Sequence, residues 1–206
     1  FTLPSLQGGE VSLAALRGRN VVLVFPRVQY GADRWCTICN YGYAELAELE
    51  AAQNLRRATN AEIVFVVPFG REVAQRWIDA TPGALAKIRG FKNPEQKDDK
   101  SLAFAEKAKR HLPLDLDPAK GARGLPFPIL LDADHAVTSG LDLYRTEWGG
   151  AKAEQLVPAV MVLDAAGVVR YKHVAQASTW DRPSGREIVN VLRSVAAADG
   201  DATEAA

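Results

Sequence analysis

NVVLVFPRVQYGADRWCTICNYGYAELAEL, residues 20–49, is the stretch on which the fold turns. Asn20–Phe25 is a short run of β-branched and aromatic residues closed by Pro26, the pattern of a strand buried on both faces. Beyond Cys36 a helical periodicity sets in. Leu46, Leu49, Ala52 and Leu55 recur every three residues, with Glu45, Glu48, Glu50 and Arg56 on the other faces. Between strand and helix stand Cys36 and Cys39, the only two cysteines among 206 residues. One close pair cannot staple a fold, but it can act as a redox switch.

The surroundings repeat the alternation. Residues 1–6, the Gly8-Gly9 turn and Val11 read as an N-terminal hairpin, followed by a helical turn from Ser12. Ala61–Val67 is a second buried strand, again closed by proline. Residues 70–80 read as a helix, and Pro82 suits the first turn of another. A polar segment, 87–110, carries eight basic against four acidic side chains. Its second half has helical spacing, with Leu102, Ala105 and Leu112 on the expected inner face, so it reads as a solvated helical insertion around 83–112. A strand at 127–131 precedes a polar turn and a short helix to Leu141. Residues 158–164 and 168–174 flank Ala165-Ala166-Gly167 as a hairpin, and 183–195 is the closing helix. The order predicts an α/β fold, with a mixed central sheet and helices on both faces. It is expected as one domain over 1–197, with 198–206 a flexible tail.

Composition narrows the function. A hydrophobic share of 48% supports a sizeable core. Basic and acidic residues balance at 25 each, which disfavours nucleic acid as a partner. No run is long and apolar enough to be an integral membrane segment. Because the sequence begins at Phe1, two compartments stay open: cytoplasmic, or exported after loss of a leader.

The chemistry is expected at the cysteines. At a helix start, unpaired N–H groups and the macrodipole favour a thiolate, so Cys36 is expected to have the lower pKa and to attack. Cys39, three residues on, lies one turn inward as the resolving thiol. Zinc needs about four ligands, and His111, His135 and His173 stand at no finger spacing, so no metal and no cofactor is expected. Asp132, Asp134 and His135 read as a polar turn rather than a metal loop, and His173 as a strand residue. Trp148 and Trp180, read as loop residues, are candidates for the rim of the site.

Trp35-Cys-x-x-Cys after a strand, the second strand ending in proline, and VPAVMVLDAAGVVRYKHV at 157–174 together resemble the thioredoxin-like redoxins. Within them the chain is most similar to the branch of alkyl hydroperoxide reductase and thiol-specific antioxidant proteins, from Phe1 to about Val195. The resemblance implies a thioredoxin-like fold and a redox-active Cys36–Cys39 disulfide. It implies that Trp35 shapes the docking surface, and that Val157-Pro158 is a cis bond facing the disulfide, where the Val157 backbone pairs with a substrate chain. Residues 20–26 lack the buried acid that thioredoxins carry before their cysteines, so that role is either vacant or filled by Asp33 or Glu45. Peroxiredoxins carry Pro-x-x-x-Thr/Ser-x-x-Cys. With Cys39 as the reactive cysteine those positions are Ala32 and Cys36; with Cys36 they are Gln29 and Asp33. No arginine stands just before Pro158. Residues 28–34 and 146–155 are expected to flank the site and restrict its substrate. The leading expectation is a thiol–disulfide oxidoreductase acting on a protein or small-molecule thiol or disulfide. A peroxiredoxin-like thiol peroxidase is the alternative, and a Cu(I)-binding dithiol a further one.

Overall fold

A computed structural model describes residues 1–121 and 125–204. Its centre is a five-stranded mixed sheet. β3 (Asn20–Phe25) lies in the middle, parallel to β4 (Ala61–Val67), which is parallel to β5 (Ile129–Leu131). On its other side β3 runs antiparallel to β8 (Ala159–Leu163), and β8 to β9 (Val169–Val174) at the far edge. This is a thioredoxin-like arrangement. The N-terminal hairpin forms from β1 (Thr2–Pro4) and β2 (Glu10–Ser12).

Strand pleating divides the core in two. Val22, Ile63, Phe65, Ile129 and Val162 face α1 (Thr37–Gln53), α3 (Arg71–Asp79), α4 (Thr81–Lys92) and α7 (Gly185–Glu204). Val21, Leu23, Phe25, Val64 and Met161 face the other way. They are covered by the N-terminal hairpin, short α6 (Ala136–Gly140) and a second hairpin, β6 (Tyr144–Trp148) with β7 (Ala151–Leu156). Residues 146–155, expected only to flank the site, form most of that second hairpin, and Gly149-Gly150, both at positive φ, make its turn.

Two local expectations are corrected, and two details are added. The helix after Cys36 breaks at Asn54 in the left-handed region (φ 49°) and resumes as α2 (Leu55–Ala58). Glu45, assigned to an outer face, is 1% exposed, because the first half of α1 is covered on nearly all sides. In α5 (Asp99–His111), Ala105 and Leu112 face inward as expected, but Leu102 is exposed; Ala108 takes the inner position with Ala105. The alanine-rich end, expected to be flexible from 198, continues α7 to Glu204, in keeping with the helix propensity of Ala196–Ala198; residues 205–206 lie outside the described residues. No helix among the described residues is long and apolar enough to cross a membrane.

Candidate active site

The site forms where β3 and β8 end side by side. Phe25 pairs with Ala159, so Pro26 and Pro158 emerge together over the start of α1. The chain turns sharply after Pro26. Val28 is buried with φ 65°, a strained conformation for a β-branched residue. That turn carries its backbone onto the cysteines: the Val28 carbonyl accepts the Cys36 N–H at 2.9 Å. The backbone N–H groups of Arg27 and Val28 lie near enough to Cys39 to favour its thiolate.

Cys36 is the N-cap of α1, extended at φ −72° and ψ 96°, and its carbonyl accepts the N–H groups of Cys39 and Asn40. Both thiols are free and buried, 3% and 8% exposed. Burial works against a thiolate at Cys36. The Cys39 thiol and backbone N–H both donate to it, however, and Arg27 and Arg182 add positive charge, so its pKa falls below the ordinary thiol value. Cys39 goes the other way. Burial and the bond it donates to Cys36 hold it well above that value.

Sequence reading missed both arginines. Arg27 is 8% exposed; its Nε donates to Gln155 Oε1 at 2.6 Å and its Nη2 to the Trp148 carbonyl at 3.1 Å. Its guanidinium lies over the rings of Tyr30 (5.1 Å) and Trp148 (5.3 Å). Burial pulls its pKa down, while the two sulfurs push it back up. Arg182 reaches in from the loop before α7 and donates to Glu45 at 3.3 Å; the same carboxylate accepts the Gly185 N–H at 3.0 Å. An arginine one residue past a buried strand was a usable positional signal for Arg27. Nothing local marks Arg182.

The expected residues fall as follows. Trp35, next to Cys36 in the chain, is half-buried, bridged to Gln29 and covered by Arg76. Pro158 lines one apolar cavity with Cys39, Phe25, Ile38, Val160 and His173, of about 40 Å³. The Val157-Pro158 bond is trans, not cis; no cis peptide occurs among the described residues. Most X-Pro bonds are trans unless the surroundings impose otherwise. Here the chain passes from β7 to β8 with the Val157 N–H donated to the Leu143 carbonyl at 2.9 Å, so that donor is already used. Asp33 is exposed and paired with Arg76, and Glu45 is committed to Arg182 and Gly185; neither lines the Cys39 cavity.

Trp148 ends strand β6, rather than lying in a loop, and reaches the site through Arg27. Trp180 packs instead on Phe104 and His111 of α5. Asp132 accepts the N–H groups of Val137 and Thr138, capping α6, and His135 stacks on Tyr144 at 4.1 Å, which makes this segment a turn. Among the described residues no three His, Cys, Asp or Glu side chains cluster as metal ligands would.

A dithiol at a helix tip, set against the end of a mixed sheet, defines a thioredoxin-like redox protein. Residues 1–172 match the model of the AhpC/TSA family, and the chain belongs to that family, which makes it an oxidoreductase. No curated protein matches it. Among solved structures, Xanthomonas campestris peroxiredoxin Q is 14% identical, with 95% of this chain and 91% of that one covered and a TM-score of 0.53. The peroxidoxin BcpB of Mycobacterium tuberculosis is 17% identical, with 95% and 92% covered and a TM-score of 0.52. The 2-Cys peroxiredoxin of Plasmodium vivax is 15% identical, with 97% and 80% covered and a TM-score of 0.57. At these identities the likeness is one of fold.

Proposed function

We propose that the protein is a peroxiredoxin-like thiol peroxidase, with Cys36 the attacking thiolate and Cys39 the resolving thiol. One observation carries this reading: the cysteine pair is buried beside two arginines, where a small peroxide is a better fit than a protein chain. The occupied Val157 N–H supports it, since a docking strand would need a free backbone donor there. The Cys36 thiolate attacks one peroxide oxygen; an S–O bond forms as the O–O bond breaks. The hydroxyl stays on sulfur as a sulfenic acid, and the alkoxide takes a solvent proton and leaves as alcohol. Cys39 then attacks the sulfenic sulfur, closing the disulfide and releasing water. An external dithiol restores the pair by exchange. Positive charge from Arg27 and Arg182 favours both the thiolate and the departing alkoxide.

Thiol–disulfide exchange is the second reading. It is favoured by the Cys-x-x-Cys spacing at the helix tip and by Pro158 across the cavity from Cys39. Peroxide consumption by single Cys→Ser variants separates the two. Cys36→Ser should abolish consumption, and Cys39→Ser should stop after one turnover with a dimedone-trappable sulfenic acid on Cys36. Consumption no faster than that of a free thiol, together with rapid reduction of protein disulfides, would refute the peroxidase reading.

A further inference from the structure

The resolving step requires a proton to leave Cys39, a thiol that is buried and that burial holds in its neutral form. The acids considered for this task on the sequence, Asp33 and Glu45, do not line its cavity. His173 does, from β9, where it pairs across the strands with Val160. Its Nε2 lies 3.2 Å from Asp181 Oδ1 and 3.3 Å from the Asp181 carbonyl, two acceptors that fix the proton on that nitrogen. Nδ1 is thereby left as the lone-pair nitrogen. Asp181 is itself held, because its Oδ2 accepts the Gln176 N–H at 2.6 Å.

Resting on the peroxidase reading, we propose that His173 is the base that takes the Cys39 proton as the disulfide closes, and that Asp181 is the positioning residue that sets its tautomer. In the step, the Cys39 S–H bond breaks and its proton passes to His173 Nδ1. The sulfur attacks Cys36–SOH, and the leaving hydroxide recovers that proton to depart as water. The cavity, at about 40 Å³, has room for one bridging water, which needs roughly 10–15 Å³, with Cys39, His173 and Arg182 as its polar partners. Backbone N–H groups of Arg27 and Val28, near Cys39, stabilise the charge that develops there. The other charged groups facing His173 are Glu187 of α7, whose carboxyl is held below the usual range chiefly by the Ser184 N–H and hydroxyl, with His173 and Arg182 adding to it, and Arg182, which lines the same cavity.

The test follows both steps separately. After mixing with peroxide, dimedone trapping times sulfenic acid formation, and quenching with an alkylating agent times disulfide closure. In His173→Gln, closure should slow about 100-fold, the scale of general-base catalysis, with the first step unchanged. Wild-type closure should rise with pH through an inflection that the variant lacks. Asp181→Asn should slow closure less and move the inflection, and it serves if His173→Gln does not fold. Glu187→Gln should leave closure within about twofold. Dithiobis-nitrobenzoate gives a peroxide-free version: Cys36 attack releases one thionitrobenzoate, and Cys39 attack on the mixed disulfide releases the second. Loss of only the second phase in His173→Gln upholds the role of His173 even if peroxide proves not to be a substrate. An unchanged closure rate, or equal slowing of both steps, overturns it.

Discussion

Gly185→Ala tests whether the contact of α7 with α1 organises the site. A Cβ at Gly185 would lie 2.8 Å from Leu49 Cδ1, 2.9 Å from Glu45 Cγ and 3.0 Å from Glu45 Cδ. Glu45 cannot swing away freely, because its carboxylate holds the Gly185 N–H and Arg182. Overpacking of this kind costs about 1–3 kcal/mol. Weakening a charge-assisted bond adds about 1.5–3 kcal/mol, and helix propensity returns at most about 1 kcal/mol. The expected net loss is about 1.5–5 kcal/mol, or roughly 3–20 °C in Tm for a chain of this size. Because Arg182 is one of the charges that lower the Cys36 pKa and Glu45 anchors it, a shift of Glu45 that draws Arg182 away from Cys36 should also raise that pKa. Thermal unfolding and the pH dependence of iodoacetamide labelling measure the two effects. A Tm equal to or above the wild type would refute the argument, since it would mean that α7 shifts at no cost.

In the reduced protein Cys36 should be alkylated well before Cys39, with a labelling rate that falls only below the ordinary thiol pKa of about 8.5, because the thiolate persists to lower pH; mass mapping after brief labelling checks it. Arg27→Met should raise the Cys36 pKa and slow the reaction with peroxide. It should also cost about 1–3 kcal/mol by leaving Gln155 Oε1 without its buried donor. Arg27→Lys should not restore either property, because an ammonium cannot reproduce the Nε bond to Gln155 while lying flat between Tyr30 and Trp148; a titration and a denaturant curve test both.

Much of the fold was legible because its signals are local. Asn20–Phe25 and Ala61–Val67 announce themselves as buried strands by composition, Ala165-Ala166-Gly167 as a hairpin turn, and Cys36-Thr-Ile-Cys39 as a dithiol at a helix start. Each depends on residues within a few positions of one another, where backbone preference and periodicity act. The β6–β7 hairpin escaped because its strands are polar and half exposed; β7 does alternate, Ala151 and Ala153 against Lys152 and Glu154, but alanine marks an inner face only weakly.

Residue order alone shows which atoms can do redox chemistry: two thiols, one turn apart, at the start of a helix. Only the tertiary structure decided what surrounds them. Arg182 meets Glu45 from 137 positions away and Arg27 meets Gln155 from 128, and His173 shares a cavity with Cys39 only because β9 pairs with β8. No local pattern encodes such pairings. The physical reason is that a buried charge is tolerable only beside its partner, and the partner is chosen by how strands and helices pack, not by neighbours in the chain.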